Sequence, residues 1–455
     1  SYQFESYKKP DGLAADMVYC VGQDKDGFIW VGTANGLNRF DGSSFKKMYG
    51  YESEPIAGET LTNNIIKTLL FDHLGDLWVG TQGGGLNRIE YTTEAISSFQ
   101  KNGPEGQKLT HDEVLCLEED SEGNIWIGTE NGISIWERST GKIYQHLPKP
   151  TDPQALLKPG ILNIKRGLGD DLWISSWNGV VHKAILPSDG EGLGAVRFER
   201  FPHKDLVQNS PADDAVWGLE IDHEGGVWAG TFGAGPMYRG PQDSTWHRFT
   251  RESEPNFGRI IFDVEEDPWG RIWVGSTVGI DIIESGANPR ELTADQVFRL
   301  SLIPSVSRSL PSNQIRDIFI DRDSMIWVAS EGGLSKYDPI ISQFTSFLST
   351  KGDSNPILTT SFARDETGLL WVGTDRQGIF LVDEESGNIE HLNPEINPSV
   401  PAKRISHMVY HQGYIWAAGS EGLFQIEPLS RQIKALALVN SQGNKLKIIR
   451  HIQVG

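Results

Sequence analysis

Apolar residues along this chain fall in short runs, and the runs return in a fixed order. An apolar run such as 18–21, 114–117 or 315–318 leads into a polar turn. A Trp-centred run follows, then a Gly-containing turn, then another apolar run such as 36–40. A last run with aromatic spacing, as at 45–49 or 343–347, closes the unit. The Trp block reads GFIWVGTANGLNRF at Trp30 and returns at Trp78, Trp126, Trp173, Trp228, Trp273, Trp327, Trp371 and Trp416. Successive tryptophans lie 48, 48, 47, 55, 45, 54, 44 and 45 residues apart. Four short strands in a period of about 40–50 residues are the signature of a propeller blade. The expected fold is therefore all-β, a β-propeller of four-stranded antiparallel blades.

Each unit has a physical reading. Asp stands six residues before the Trp in seven units, at Asp24, Asp72, Asp120, Asp222, Asp267, Asp321 and Asp365. Gly usually stands three before it, as at Gly27, Gly75, Gly123 and Gly270. Asp caps a turn with its side chain and Gly supplies positive φ, so this segment is a hairpin connection. A buried Trp covers on the order of 150–250 Å², worth roughly 4–6 kcal/mol at about 25 cal/mol per Å². Because the position repeats with the structural period, the nine tryptophans read as scaffold and not as a ligand ladder.

Nine blocks exceed the usual four to eight blades. The segment 2–7 followed by a loop and Trp30 resembles 342–347 followed by a loop and Trp371; both look like an outer strand preceding a blade. If the N-terminal strand closes blade seven, residues 1–341 form one seven-bladed ring. Residues 342–455 then hold the first blades of a second, truncated propeller. A single larger ring is the alternative.

Composition fits this architecture. Fifty Gly and 23 Pro supply turns, and 38% apolar content suffices for sheet-to-sheet cores. No run reaches the roughly 18 apolar residues of a membrane span, so no membrane contact is expected of this chain itself. A net charge of −20 argues against general nucleic-acid binding, and weighs only weakly against an anionic sugar, since local basic patches still form. Cys20 and Cys116 occupy equivalent positions in non-adjacent blades, too far apart for a disulfide, and read as small buried hydrophobes. No metal site or cofactor is expected.

At this point the block matches a family. SLPSNQIRDIFIDRDSMIWVASEGGLSKYD at 309–338 and TLTNNIIKTLLFDHLGDLWVGTQGGGLNRI at 60–89 resemble the two-component regulator propeller repeat, with turn, Trp and following Gly in register. Unit four departs with Gly167 at the Asp position and Ser175-Ser176 for Gly-Thr; unit nine departs with Tyr410. The resemblance implies the extracytoplasmic sensor of a membrane-bound regulator. Such regulators typically carry two seven-bladed propellers, an immunoglobulin-like module, a membrane helix and a histidine kinase or diguanylate cyclase. It further implies a periplasmic location, often a glycan ligand, and homodimerisation through the full-length receptor.

In an antiparallel blade, the loop leading into strand one and the turn between strands two and three share a face, opposite the Asp-x-x-Gly turns. On that face the leading loops place Asp16, Asn64, Asp112, Asp214 and Asn313 fourteen residues before their tryptophans, with Arg259 as the basic exception. For any one of these residues a capped or hydrogen-bonded loop is the first explanation. The two-three turns are mostly small or polar, but Trp177-Asn178 and Phe232-Gly233 are aromatic, and Trp217 begins the fifth inner strand. Aromatic faces stack on sugar rings while carboxylates, amides and Arg bind hydroxyls. The expected ligand-binding set is therefore Trp177, Phe232, Trp217, Asp214, Arg259, Asp16 and Asp112, near blades four to six, for a small-molecule or oligosaccharide ligand. Partner-subunit packing competes with that reading. No catalytic residue is assigned. A polysaccharide lyase or glycosidase would need a base, or two facing carboxylates, for which His111-Asp112-Glu113 is the nearest string. A protein-assembly scaffold is the other alternative.

Overall fold

In the computed structural model the chain divides into two compact units, Ser1–Gln343 and Phe344–Gly455. The structure describes residues 2–50, 58–177, 179–188, 190–202, 215–249, 255–303, 308–339, 358–383, 388–392, 404–440, 442–443 and 449–453. Asp214 and most of the 342–347 segment's neighbourhood lie outside the described residues, as does that segment itself.

The nine Trp blocks form nine four-stranded antiparallel sheets. Seven belong to the first unit and two to the second. Blade one comprises Val18–Gln23, Ile29–Thr33, Gly36–Phe40 and Phe45–Met48, paired in that order. In six of the first unit's blades the four strands are consecutive in sequence. Blade seven differs. It joins Ile315–Ile320, Ile326–Ser330 and Gly333–Tyr337 to the N-terminal strand Phe4–Tyr7. The register is Phe4 with Tyr337, Glu5 with Lys336, Ser6 with Ser335 and Tyr7 with Leu334. Phe4 is buried against Tyr337 at 5.7 Å between rings, while Tyr7 reaches back to Phe40 of blade one at 5.1 Å. The seam between blades seven and one is further tied by the Val21 N–H, which donates to Asp317 at 2.8 Å.

The core lies between successive sheets. Trp30 packs with Ile66, Leu77 and Val79 of blade two, and Trp126 with Ile161, Ile164 and Ile174 of blade four. Gly follows the Trp at the second position because the next blade fills the space a side chain would take. A Cβ on Gly80 would stand 2.6 Å from Val114 Cγ1 of blade three and 2.4 Å from Thr68 Cγ2. The turn Asp does more than cap. Its Oδ1 accepts two turn N–H groups and its Oδ2 accepts the indole N–H of the Trp six residues on, as at Asp24–Trp30 (2.7 Å) and Asp267–Trp273 (2.8 Å).

The second unit has two blades of the same build, Thr359–Arg364 to Ile389–Leu392 and Ile405–His411 to Ile433–Leu436. Trp371, Leu381, Ile405 and Phe424 share its core. Cys20 and Cys116 are both buried free thiols. Among the described residues no helix is long and apolar enough to cross a membrane.

Candidate functional site

Every inner strand carries the same irregularity. Pairing with the Trp strand shifts between the first and third residues, at Val18/Cys20, Ile66/Thr68, Val114/Cys116, Ile161/Asn163, Val216/Gly218, Ile261/Asp263 and Ile315/Asp317. A bulge leaves its extra residue unpaired and re-aims the side chain. Here the extra residues are Tyr19, Lys67, Leu115, Leu162, Trp217, Phe262 and Arg316. All seven line a central channel of about 810 Å³, walled by the inner strands of the seven blades.

On the arc from blade four to blade seven this ring of residues becomes an aromatic wall. Trp177 meets Trp217 edge to face at 5.6 Å, and Trp217 meets Phe262 edge to face at 4.9 Å. Phe232 stacks behind Trp217 at 6.3 Å. The Arg316 guanidinium lies over Phe262 at 4.1 Å, and two blades on Lys67 lies over Tyr19 at 4.2 Å. Trp177 is held by its own N–H, which donates to the Gly160 carbonyl at 2.9 Å. Gly160 has to lack a side chain, since a Cβ there would sit 1.9 Å from the indole. The indole N–H groups of Trp177 and Trp217 are buried with no acceptor.

The polar residues expected at the same site behave otherwise. Asp16 accepts the Lys9 N–H at 2.6 Å and Asp112 the Lys101 N–H at 2.7 Å. Asn313 does the same for Leu302 at 2.6 Å. Each braces the chain arriving from the outer strand of the preceding blade, and neither Asp lines the channel. Arg259 is exposed; its Nε donates to the Gly233 carbonyl at 2.8 Å, and its own carbonyl accepts from Gly233 and Gly235. It supports the turn bearing Phe232. The structure thus brings together Trp177, Trp217 and Phe232 of the expected set, and leaves Asp16, Asp112 and Arg259 as loop braces. Lys67, Phe262, Arg316 and Tyr19 were missed, although all stand eleven residues before a block Trp, the column that already held Trp217.

Three residues further along the inner strands, roughly 10 Å on, the lining changes to Glu118, Lys165 and Glu265. Lys165 pairs with Glu220 at 3.0 Å and also with Glu265. Burial opposes the Lys165 charge, but Glu220, Glu265 and Asp263 together hold its pKa well above the usual value. Burial pushes Glu118 up, and pushes Glu220 up to about 8 despite the Lys165 partner. The two members of the pair shift in the same direction because one ammonium is shared among several carboxylates. Each acid therefore receives only part of its stabilisation. Asp263 and Asp317 stand together in the wall, both raised chiefly by burial and accepting N–H groups of the next blade at 2.8 Å.

The Trp–Asp blades, the closed ring and the aromatic-lined axial channel define a β-propeller with its candidate site at the channel mouth. The family model for the two-component regulator propeller matches residues 12–35, 60–83, 108–131 and 309–332. Those four segments are two-component regulator propeller repeats, one each in blades one, two, three and seven. A histidine kinase P4 from Formosa agariphila is 48% identical over 46 residues, which is 10% of this chain and 3% of that protein. The extracellular domain of a putative hybrid two-component system from B. thetaiotaomicron aligns with a TM-score of 0.61 at 21% identity, over 97% of this chain and 55% of that one. A virginiamycin B lyase from Staphylococcus aureus aligns at 0.51 and 14% identity, over 74% of this chain and 98% of that one. At these identities the likeness to solved structures is one of fold. The chain spans about half of the length of the two-component domain it resembles.

Proposed function

We propose that this chain is a ligand-sensing extracytoplasmic region of a membrane-bound two-component-type regulator, that it is not an enzyme, and that its ligand is a carbohydrate bound at the channel mouth. In this reading residues 1–341 are a complete seven-bladed propeller and the following blades open a second one. Receptor function is supported by the repeat family and by the resemblance to a histidine kinase and to a hybrid two-component extracellular domain. The observation that carries the ligand is the wall of Trp177, Trp217 and Phe262, whose two indole N–H groups lack acceptors inside a channel of ligand size. Aromatic faces take the apolar face of a sugar ring.

Titrating oligosaccharides against intrinsic Trp fluorescence tests this reading, with wild type and Trp177→Ala compared. Saturable quenching that weakens at least about fivefold in Trp177→Ala is expected, the loss of an aromatic stacking contact being worth on the order of 1–3 kcal/mol. Equal affinity in the variant removes Trp177 from the site. New reducing ends, or absorbance at about 235 nm from an unsaturated uronate, would replace the sensor by a glycosidase or lyase.

A further inference from the structure

We propose that the sugar taken at this mouth is acidic, its anionic group lying between Lys67 and Arg316 while its ring rests on Trp217 and Phe262. The inference rests on the carbohydrate reading above and adds the ligand's charge.

The mouth offers donors in excess. Arg316 donates through one terminal nitrogen to Glu331, but its Nε is buried with no acceptor. Lys67 lies over the Tyr19 ring and makes no hydrogen bond or ion pair among the described residues. Both are donor-only groups. Every hydroxyl of a neutral sugar brings a donor of its own to be satisfied, whereas an ionised carboxylate or sulfate brings acceptors alone and the charge that strengthens each bond. Lys67 and Arg316 belong to blades two and seven, so only Tyr19 of blade one stands between them in the ring of bulge residues. Burial, and in smaller part Arg316, lowers the Lys67 pKa against the pull of Glu113. Two cations held this near each other are relieved by an anion placed between them. Glu130, of blade three beside the Lys67 blade, also lines the mouth, and Glu118 and Glu265 line the deeper channel. An anion is therefore steered to the Lys67–Arg316 arc and kept from descending.

Calorimetry with trigalacturonate, its fully methyl-esterified form and a sulfated neutral trisaccharide tests the proposal. Charge-assisted hydrogen bonds predict trigalacturonate binding about 10- to 100-fold tighter than the ester, with the preference shrinking at high salt. Lys67→Met should bring the two within about threefold, while Lys67→Arg keeps the preference; the latter also controls for folding. Binding of the sulfated sugar as tight as trigalacturonate supports an anion site indifferent to its source; tighter binding of trigalacturonate supports a carboxylate site. An ester bound as tightly as the acid by wild type overturns the acidic-ligand proposal and leaves the carbohydrate reading intact. If none of the three sugars binds, both fall.

Discussion

The indole N–H of Trp126 donates to Oδ2 of Asp120 at 2.9 Å, while Oδ1 of the same carboxylate accepts the N–H groups of Glu122 and Asn124 at 3.0 and 2.8 Å. One side chain thereby closes the hairpin turn and fixes the orientation of a Trp that is fully buried. Asp120→Ala orphans a buried donor and uncaps the turn, which should cost about 2–4 kcal/mol. Asp120→Asn, keeping one acceptor oxygen, should cost roughly half of that. Urea unfolding followed by Trp fluorescence measures both; a loss below about 0.5 kcal/mol for the alanine variant would show that the bond is dispensable.

Gly80 is required by the neighbouring blade. Gly80→Val places its Cβ within 2.6 Å of Val114 and 2.4 Å of Thr68, so the sheets of blades two and three must part. Overpacking of this kind typically costs about 1–3 kcal/mol, more where both neighbours are backbone-anchored. A thermal melt of the variant should fall by several degrees, and an unchanged melt would mean the blades separate freely.

Closure of the ring depends on the first strand. Phe4→Ala should destabilise the first unit by about 3–5 kcal/mol, because Phe4 is buried against Tyr337. Deleting residues 1–8 removes the whole outer strand of blade seven, exposes the edge at 333–337 and should promote aggregation. Size-exclusion chromatography and a melting curve of the deleted protein check this. A monomer with wild-type melting temperature would show that blade seven stands without its fourth strand.

Stability should fall as pH rises through neutrality. Burial pushes Asp317 from 3.8 up to about 7 and Glu220 from 4.5 up to about 8. Between those limits the folded state holds protons that the unfolded chain has lost, so raising the pH favours unfolding. The acids with lowered pKa act oppositely. Asp72, where the bonds from Trp78 and Arg138 outweigh burial, gives its stabilisation above about pH 4 and has no further effect at neutrality. Melting temperature should therefore decline from pH 5 to pH 8 in a buffer series. Asp317→Asn, which keeps an acceptor for the Val21 N–H, should flatten the decline. A melting temperature that rises over this range, or the same slope in the variant, contradicts the assignment.

Part of the aromatic wall was legible before any folding, because Trp177 and Phe232 stand in turns that are mostly small or polar in the other blades, and Trp217 begins an inner strand beside them. The charged part was not. Asp16 and Asp112 repeat in register for a structural reason, bracing the chain that arrives from the preceding blade, and repetition alone does not separate a brace from a ligand residue. Lys67, Phe262 and Arg316 differ from blade to blade as a binding residue would, yet in a plain alternating strand they would share the pleat of their neighbours.

Strand, turn and Trp follow from the order of residues because the interactions that make them are short-ranged. The Asp–Trp bond spans six residues, and the hairpins pair neighbours in sequence. The period then dictates blades. Ring closure joins residue 4 to residue 337, a contact suggested by the matching outer-strand pattern but made only when seven blades have turned through a full circle. The channel lining depends on a one-residue slip in pairing, repeated in each blade. No residue type encodes that slip, since a bulge is a property of two strands together. It is the bulge that turns Lys67, Trp217, Phe262 and Arg316 toward one axis.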